Sequence, residues 1–342
     1  MTFSVHSRHD DIEYNGASLN GLFAQRRNLL RPSYFRMIRD ILRFNKRAPS
    51  DANDYDATTT VGEYLNDNGY GRHFAEHYLI PMAAAIWSAE PIAVYDMPLK
   101  FLIRFFANHG LLQLRDRPQW RVIKGGSREY VTKLIAGHRD RIRLNSPVEK
   151  LRRDDMRIQL FTRSAGWEDY DYAFVACHSD QALAMLDDAT PSECDILGAI
   201  LYQENEATLH TDVSLMPRRR RAWAAWNYHL PEDSRTHVAV TYNMNQLQRL
   251  NTATPYLVTL NNDREIDTRH VIRRMRYEHP VFSLESIAAQ ARHHEINCDR
   301  TYFCGAYWHN GFHEDGVVSA LNALEHFEGR LADAKLHLRR AS

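Results

Sequence analysis

The 342-residue chain contains no G-x-G-x-x-G turn, and so no phosphate-holding start of a dinucleotide fold can be read from it. Its nearest approach, Gly69-Tyr70-Gly71, continues into Arg72, His73 and Phe74 within a polar run, without the third glycine. A Walker loop and a G-x-S-x-G elbow are missing as well, and Ser179 beside His178 sits at a predicted strand end, so nothing points to a hydrolase. The four cysteines, Cys177, Cys194, Cys298 and Cys304, form no C-x-x-C pair and no zinc spacing, which leaves reduced structural thiols. Charge of one sign is absent too. With 43 basic and 43 acidic residues the formal net charge is zero, which excludes bulk attraction to nucleic acid or to an anionic membrane. The longest apolar stretch, Leu79 to Trp87, is far short of the ~20 residues a membrane span needs, and the N-terminus has no signal pattern. These absences predict a soluble, cytoplasmic protein without an integral membrane segment.

Histidine, in contrast, is abundant at 18 copies. His309 and His313, four residues apart with Glu314 adjacent, are a grouping that could mimic zinc ligands. The sequence HNGFHE is not H-E-x-x-H, and Gly311 interrupts a helical face between the two histidines, so no metal is expected. His270, His293 and His294 read as solvated.

The segment Thr301 to Phe327, TYFCGAYWHNGFHEDGVVSALNALEHF, is the most informative. Tyr302 to Cys304 suit a buried strand, Gly305 ends it, and Val317, Ala320, Leu321, Leu324 and Phe327 recur at helical spacing. Gly311 and Gly316 flank Phe312 to Asp315 and leave no Cβ there. The loop thus opens a helix whose first-turn N–H groups carry the positive dipole end, where a phosphate or an electron-rich ring edge binds.

GFHEDG followed by a small-residue helix resembles the C-terminal flavin-contacting motif of the FAD-dependent amine oxidase and phytoene desaturase superfamily, in its branch of NAD/FAD-binding proteins. Further similar segments are TTTVGEYL (Thr58–Leu65), VIKGGSREYVTKL (Val122–Leu134), IRLNSPVEKL (Ile142–Leu151), TYNMNQLQ (Thr241–Gln248) and YEHPVF (Tyr277–Phe282). The resemblance implies an α/β flavoprotein with FAD as cofactor, truncated by the first βαβ unit. It implies cofactor contacts at Gly125, Gly126, Val148, Gly305, Gly311, Phe312, Glu314, Asp315 and Gly316. Where many relatives carry an acidic residue after the strand-ending glycine, this chain has Ala306 and Tyr307.

The expected architecture is an incomplete FAD domain (118–190 and 285–342) interleaved with a mixed-sheet substrate domain (1–117 and 191–284). Predicted strands include Phe3–Val5, Ile12–Tyr14, the run WRVIK from Trp120, Ile142–Leu144, Tyr172–Cys177, Ala222–Tyr228, His237–Tyr242 and Tyr256–Leu260. Leu29–Phe44, Val61–Trp87, Pro98–Leu112, Ile287–His294 and Val317–Lys335 read as helices, and Ala48–Asp56 as a turn region. Trp87, Trp226 and Tyr228 are candidates for an aromatic substrate wall. Arg218 to Arg221 read as an exposed turn, with an anionic substrate or lipid headgroup as the alternative.

The implied activity is an amine oxidase-like oxidoreductase that passes a hydride from an amine or lipid-like substrate to flavin N5. The chemistry names no catalytic side chain, since an uncharged amine needs no general base. Two other readings stay open: a non-catalytic or partner-dependent chain without tight FAD binding, and an apolar-ligand binding module. No nucleic acid partner is expected. The missing first strand leaves room for a homo-oligomer or a complementing N-terminal chain.

Overall fold

In the computed structural model, residues 2–7, 9–116, 118–230 and 239–341 are described, with side chains through Leu331. The first two residues of the predicted strand His237–Tyr242 lie outside them. Strands run over Phe3–Ser7 (β1), Ile12–Asn15 (β2), Lys150–Arg153 (β3), Ile158–Thr162 (β4), Gly166–Tyr170 (β5), Ala173–Val175 (β6), Tyr202–His210 (β7), Trp226–Leu230 (β8), Ala239–Asn243 (β9), Leu257–Leu260 (β10), Val271–Pro280 (β11) and Thr301–Phe303 (β12). The chain divides into two units, residues 1–136 with 203–279 and residues 137–202 with 280–342. Residues 118–136 thus cluster with the first unit, and 191–202 and 280–284 with the second, which departs from the expected division at those boundaries.

The first unit is organised on a seven-stranded mixed sheet, ordered β11-β7-β10-β9-β8-β1-β2. β1 pairs parallel with β8, placing Val5 opposite Tyr228, while β8, β9, β10 and β7 pair antiparallel in turn. Helices supply the other layer. The helix Pro32–Asp54 begins with proline at its first turn and buries Tyr34, Met37, Phe44, Ala48 and Ala52, an apolar stripe at helical spacing. It continues through Ala48–Asp54, where a turn is predicted. Polar neighbours suggest a break, but burying Ala48 and Ala52 four residues apart outweighs both them and Pro49. Thr60 and Glu63 close a capping box that starts Val61–Asp67, fixing two otherwise orphaned N–H groups.

One sheet face of this unit carries a buried polar ladder. His210 Nε2 meets Thr259 Oγ1 at 2.7 Å, Thr259 Oγ1 meets Thr241 Oγ1 at 2.7 Å, and Thr241 Oγ1 meets His229 Nε2 at 2.9 Å. His229 packs edge-on against His6, with ring centroids 4.2 Å apart. The chain of contacts thus crosses β7, β10, β9, β8 and β1. Partnered groups of this kind are what a buried sheet face tolerates.

The second unit contains the parallel pair β12-β6 and the antiparallel β3-β4-β5. Its core includes Leu151, Ile158, Ile196, Leu197, Phe303, Tyr307 and Trp308. Arg153 on β3 donates to Glu193 Oε2 at 2.8 Å and to Asp188 Oδ1 at 3.1 Å. Glu193 is buried and also closes the capping box with Thr190 that begins the helix Pro191–Gly198. The terminal helix runs His313–Ala341.

Two predicted strands do not form. Trp120–Lys124 and Ile142–Leu144 pair with no strand among the described residues, and Val122, Ile123, Ile142 and Leu144 are exposed, Leu144 by 80%. An extended run becomes a strand only with a neighbour to take its N–H and C=O groups. His293 is a further correction. Expected in solvent, it is buried and stacked on Trp308, with ring centroids 4.0 Å apart.

Candidate functional site

β6 and β12 run parallel, pairing Ala173, Phe174 and Val175 with Thr301, Tyr302 and Phe303, and Cys304 N donates to Val175 O at 2.9 Å. Their carboxyl ends therefore lie side by side. Outside the carboxyl ends of parallel strands is where open α/β sheets hold ligands. β12 is held by Asn297 Oδ1, which accepts from Phe303 N at 2.7 Å, and by His293 Nε2, 2.7 Å from Phe303 O. Burial pushes His293 down to about 4, so at neutral pH the ring is uncharged, with Nε2 close to that carbonyl and to Asn297 Nδ2.

After the strand the chain turns at Gly305. A Cβ there would lie 2.3 Å from Cε1 of Tyr307, whose ring is buried between Trp308 and Tyr202. The requirement for glycine is one of contact, since its φ of 164° is extended backbone. Gly305→Ala should cost about 1–3 kcal/mol through overpacking, measured as a lowered urea midpoint. An unchanged midpoint would show that the Tyr307 ring moves freely. The following loop is pinned by Gln290, whose Nε2 donates at 2.7 Å to both Tyr307 O and His309 O.

The head of the terminal helix is open. Gly311, at φ +91°, and His313, Glu314 and Val317 are exposed. Gly305 N donates to Ser319 Oγ at 2.8 Å, and Phe312 N donates to Asp315 Oδ2 at 2.8 Å. Helix geometry gives the N–H groups of Glu314 and Asp315 no intrahelical acceptor. The space beside them is kept by Gly316, where a Cβ would come no closer than 4.0 Å to Ala306 N. Glu314 and Asp315 themselves place two carboxylates in the first turn, which offsets the positive end of the dipole. That donor set fits a neutral polar ring edge or hydroxyl better than a phosphate, which narrows the alternatives left by the sequence.

Val148 lies in the same unit. It lines a groove of about 610 Å³ with Pro147, Phe174, Val175, Ala176 and Cys177. No strand among the described residues pairs with the edge of β6 away from β12. Gly305, Gly311 and Phe312 thus lie in the segment before the terminal helix, Glu314, Asp315 and Gly316 in its first turns, and Val148 sits by the neighbouring strand. Gly125 and Gly126 belong to the first unit, in an exposed turn at φ +87° and +90° that leads into the helix Arg128–Leu134.

The aromatic candidates separate within the first unit. Trp87 is a core residue packed on Phe101 and Phe105, with centroids 5.4 and 4.7 Å away. Trp226 is half-buried, edge-on to Tyr242. Tyr228 is buried and lines a cavity of about 360 Å³ with Asp10, His73, Glu76, His77 and Tyr95. There His77 Nε2 meets Asp10 Oδ2 at 2.9 Å. Burial pushes the Asp10 carboxyl up, but the hydrogen bond and charge of His77 outweigh it and hold it below the usual range. Burial and the neighbouring His77 pull His73 down. His77 sits on a π-helical turn, Ala75–Leu79, a local widening that recurs at functional sites. Sequence reasoning missed this group because Asp10 and His77 are 67 residues apart; the adjacent H-x-x-x-H at His73 and His77 was the available signal.

No family model matches the chain, and no curated protein matches it either. Solved structures do. A redesigned putrescine oxidase superposes with TM-score 0.61 at 11% identity, over 96% of this chain and 81% of that one. Cyclohexylamine oxidase from Brevibacterium oxydans gives 0.61 at 13% over the same shares. A CLA-producing fatty acid isomerase from P. acnes gives 0.60 at 13%, over 96% and 80%. The chain has the mixed α/β fold of FAD-dependent amine oxidase-type flavoenzymes.

Proposed function

We propose that the protein is an FAD-dependent oxidoreductase of the amine oxidase type, with the flavin against the head of the terminal helix. One observation carries the reading: Gly316, where a Cβ would meet nothing closer than Ala306 N at 4.0 Å, leaves open space beside an exposed helix start that has N–H groups to give. When bound, the chemistry FAD supplies is acceptance of a hydride at N5. The N–H groups of Glu314 and Asp315 would meet the electron-rich ring edge, and the Asp315 carboxylate, already fixed by Phe312 N, would accept from a ribityl hydroxyl. Gly311 and Phe312 shape the approach, and Val148 would stand beside the adenine. Gly125 and Gly126, in the first unit, stay candidates for cofactor contact on the resemblance alone.

For the substrate, the cavity holding Tyr228 supports an amine. Asp10 and Glu76 bring carboxylates to it, each already paired, with His77 and with Arg72, so an ammonium group would share these acceptors before it loses its proton. A lipid-like substrate remains the alternative inherited from the sequence, with Trp87 and Trp226 as further wall candidates.

A second reading rests on the edge of β6 that no strand pairs with among the described residues. Unpaired strand edges accept a further strand, so this edge supports a partner-dependent chain, completed by another segment that brings the missing phosphate turn. Both readings expect weak FAD binding by these 342 residues alone, with Kd above ~1 μM because no glycine-rich turn holds the pyrophosphate. Titration of flavin fluorescence checks this. Tight, stoichiometric FAD would contradict it.

A further inference from the structure

The sequence alone leaves Arg218 to Arg221 as an exposed charge run, but the fold brings a second basic segment to it. Arg26, Arg27, Arg219, Arg220 and Arg221 line one cavity of about 530 Å³ in the first unit. Arg26 and Arg27 open the 3₁₀ helix Arg26–Leu30; Arg220 and Arg221 lie on the 3₁₀ turn Arg220–Ala222, which packs on β2 and on the short helix Leu19–Leu22. Counter-charge among the described residues is thin. Asp11 serves both Arg27 and Arg31, and Glu13 pairs with Arg219 at 2.6 Å. Among the described residues, two carboxylates therefore pair with three of the six guanidinium groups. Partial desolvation and the neighbouring charges of Arg31 and Arg219 pull Arg27 below its ordinary range, as crowding of like charge does.

The same segment exposes apolar side chains. Leu19 is 77% exposed, Leu30 86% and Leu29 49%, so leucines stand in solvent on both sides of Arg26 and Arg27 in the chain. A soluble phosphate would account for the arginines and leave the leucines unexplained. Nucleic acid would call for flat aromatic or hydrogen-bonding groups beside the charge, where this surface has aliphatic ones. A bilayer with anionic headgroups uses both kinds of side chain, arginine at the phosphates and leucine at the acyl boundary. The zero net charge of the whole chain makes such attraction local, effective only within about a Debye length.

We propose that this arginine and leucine surface docks the protein on anionic membranes. The test is co-sedimentation of the full chain with phosphatidylcholine vesicles, with and without about one-third phosphatidylglycerol. Binding is expected only with phosphatidylglycerol, and should weaken at least about tenfold when salt is raised to roughly 0.5 M. Arg220→Gln with Arg221→Gln should weaken it roughly thirtyfold, and Leu19→Ser with Leu30→Ser roughly tenfold. All four residues are exposed, and matching circular dichroism would show that the variants fold. Failure to pellet with phosphatidylglycerol vesicles, equal binding to neutral vesicles, or indifference to the leucine pair overturns the proposal. Loss of vesicle binding to millimolar inorganic phosphate or to an oligonucleotide, with the leucine pair without effect, overturns it in favour of a soluble anion or a nucleic acid.

Discussion

Arg153→Ala should destabilise the second unit by about 3–5 kcal/mol. The arginine gives Glu193 both of its guanidinium donors and also reaches Asp188, whereas Glu193 exposes only 4% of its side chain. Removing the cation leaves a buried carboxylate that already spends one oxygen on the N–H of Thr190. Two responses are open to it, to take up a proton or to draw water into the core, and each loosens the attachment of β3 to the helix Pro191–Gly198. The outcome separates this pair from the exposed bridges elsewhere, such as Arg72–Glu76, which contribute about 0–1 kcal/mol. Arg153→Met combined with Glu193→Leu should recover most of the loss, because two apolar groups of similar size need no partner. Urea unfolding followed by circular dichroism checks both. A loss below about 1 kcal/mol for the single variant would show that the pair is hydrated.

Acid should weaken both units between pH 6.5 and 4. Burial pushes His210 down to about 4 in the first unit, with Asp212 partly opposing and His270 adding to the shift. Burial does the same to His293 in the second, joined by the charges of His326, His309 and His294. The native state thus keeps each ring neutral where the unfolded chain already binds a proton near 6.5. A depressed histidine therefore contributes its full stability above pH 6.5, loses it progressively as pH falls to 4, and changes nothing further below. Each withdraws up to about 3 kcal/mol. The structural reason is visible in both places. His210 Nδ1 accepts from Asp212 N at 3.1 Å, and that lone pair disappears on protonation. His293 stacks on Trp308 beneath β12. The ring-proton shifts of the two residues by NMR should stay at their neutral values down to about pH 5. Titration near 6.5 would mean that water reaches the rings.

Much of the strand, loop and helix that carry the candidate site was legible because its signals are local. Strand, glycine, loop and helix follow one another between Thr301 and Phe327, and the structure keeps that order with β12, Gly305 and the helix from His313. The strands β1 and β2 and the helix Leu99–Asn108 were equally readable from apolar spacing. What escaped depends on distant partners. Trp120–Lys124 and Ile142–Leu144 have strand composition but no neighbour to pair with among the described residues. β11, Val271–Pro280, looks too rich in arginine to be a strand, yet pairs at the edge of the large sheet, where charged side chains reach solvent. The ladder from His210 to His229 draws on four separate strands, so no spacing along the chain announces it. His293 looked solvated because His294, Glu295 and Arg292 surround it in sequence, while its burial comes from Trp308 and Phe303.

The placement of a flavin at the head of the terminal helix is tested most directly by titrating flavin into Gly316→Leu. A leucine at 316 fits ordinary backbone, with Ala306 N as the nearest neighbour at 4.0 Å, so the unit should fold while the space beside the first-turn N–H groups fills. Gly329→Leu, on the same helix with nothing within 4 Å, is the control. Binding should fall at least about tenfold in Gly316→Leu, a loss of about 1.4 kcal/mol or more, and stay at the wild-type value in Gly329→Leu. Equal flavin affinity in wild type and a folded Gly316→Leu would remove the ring from this helix.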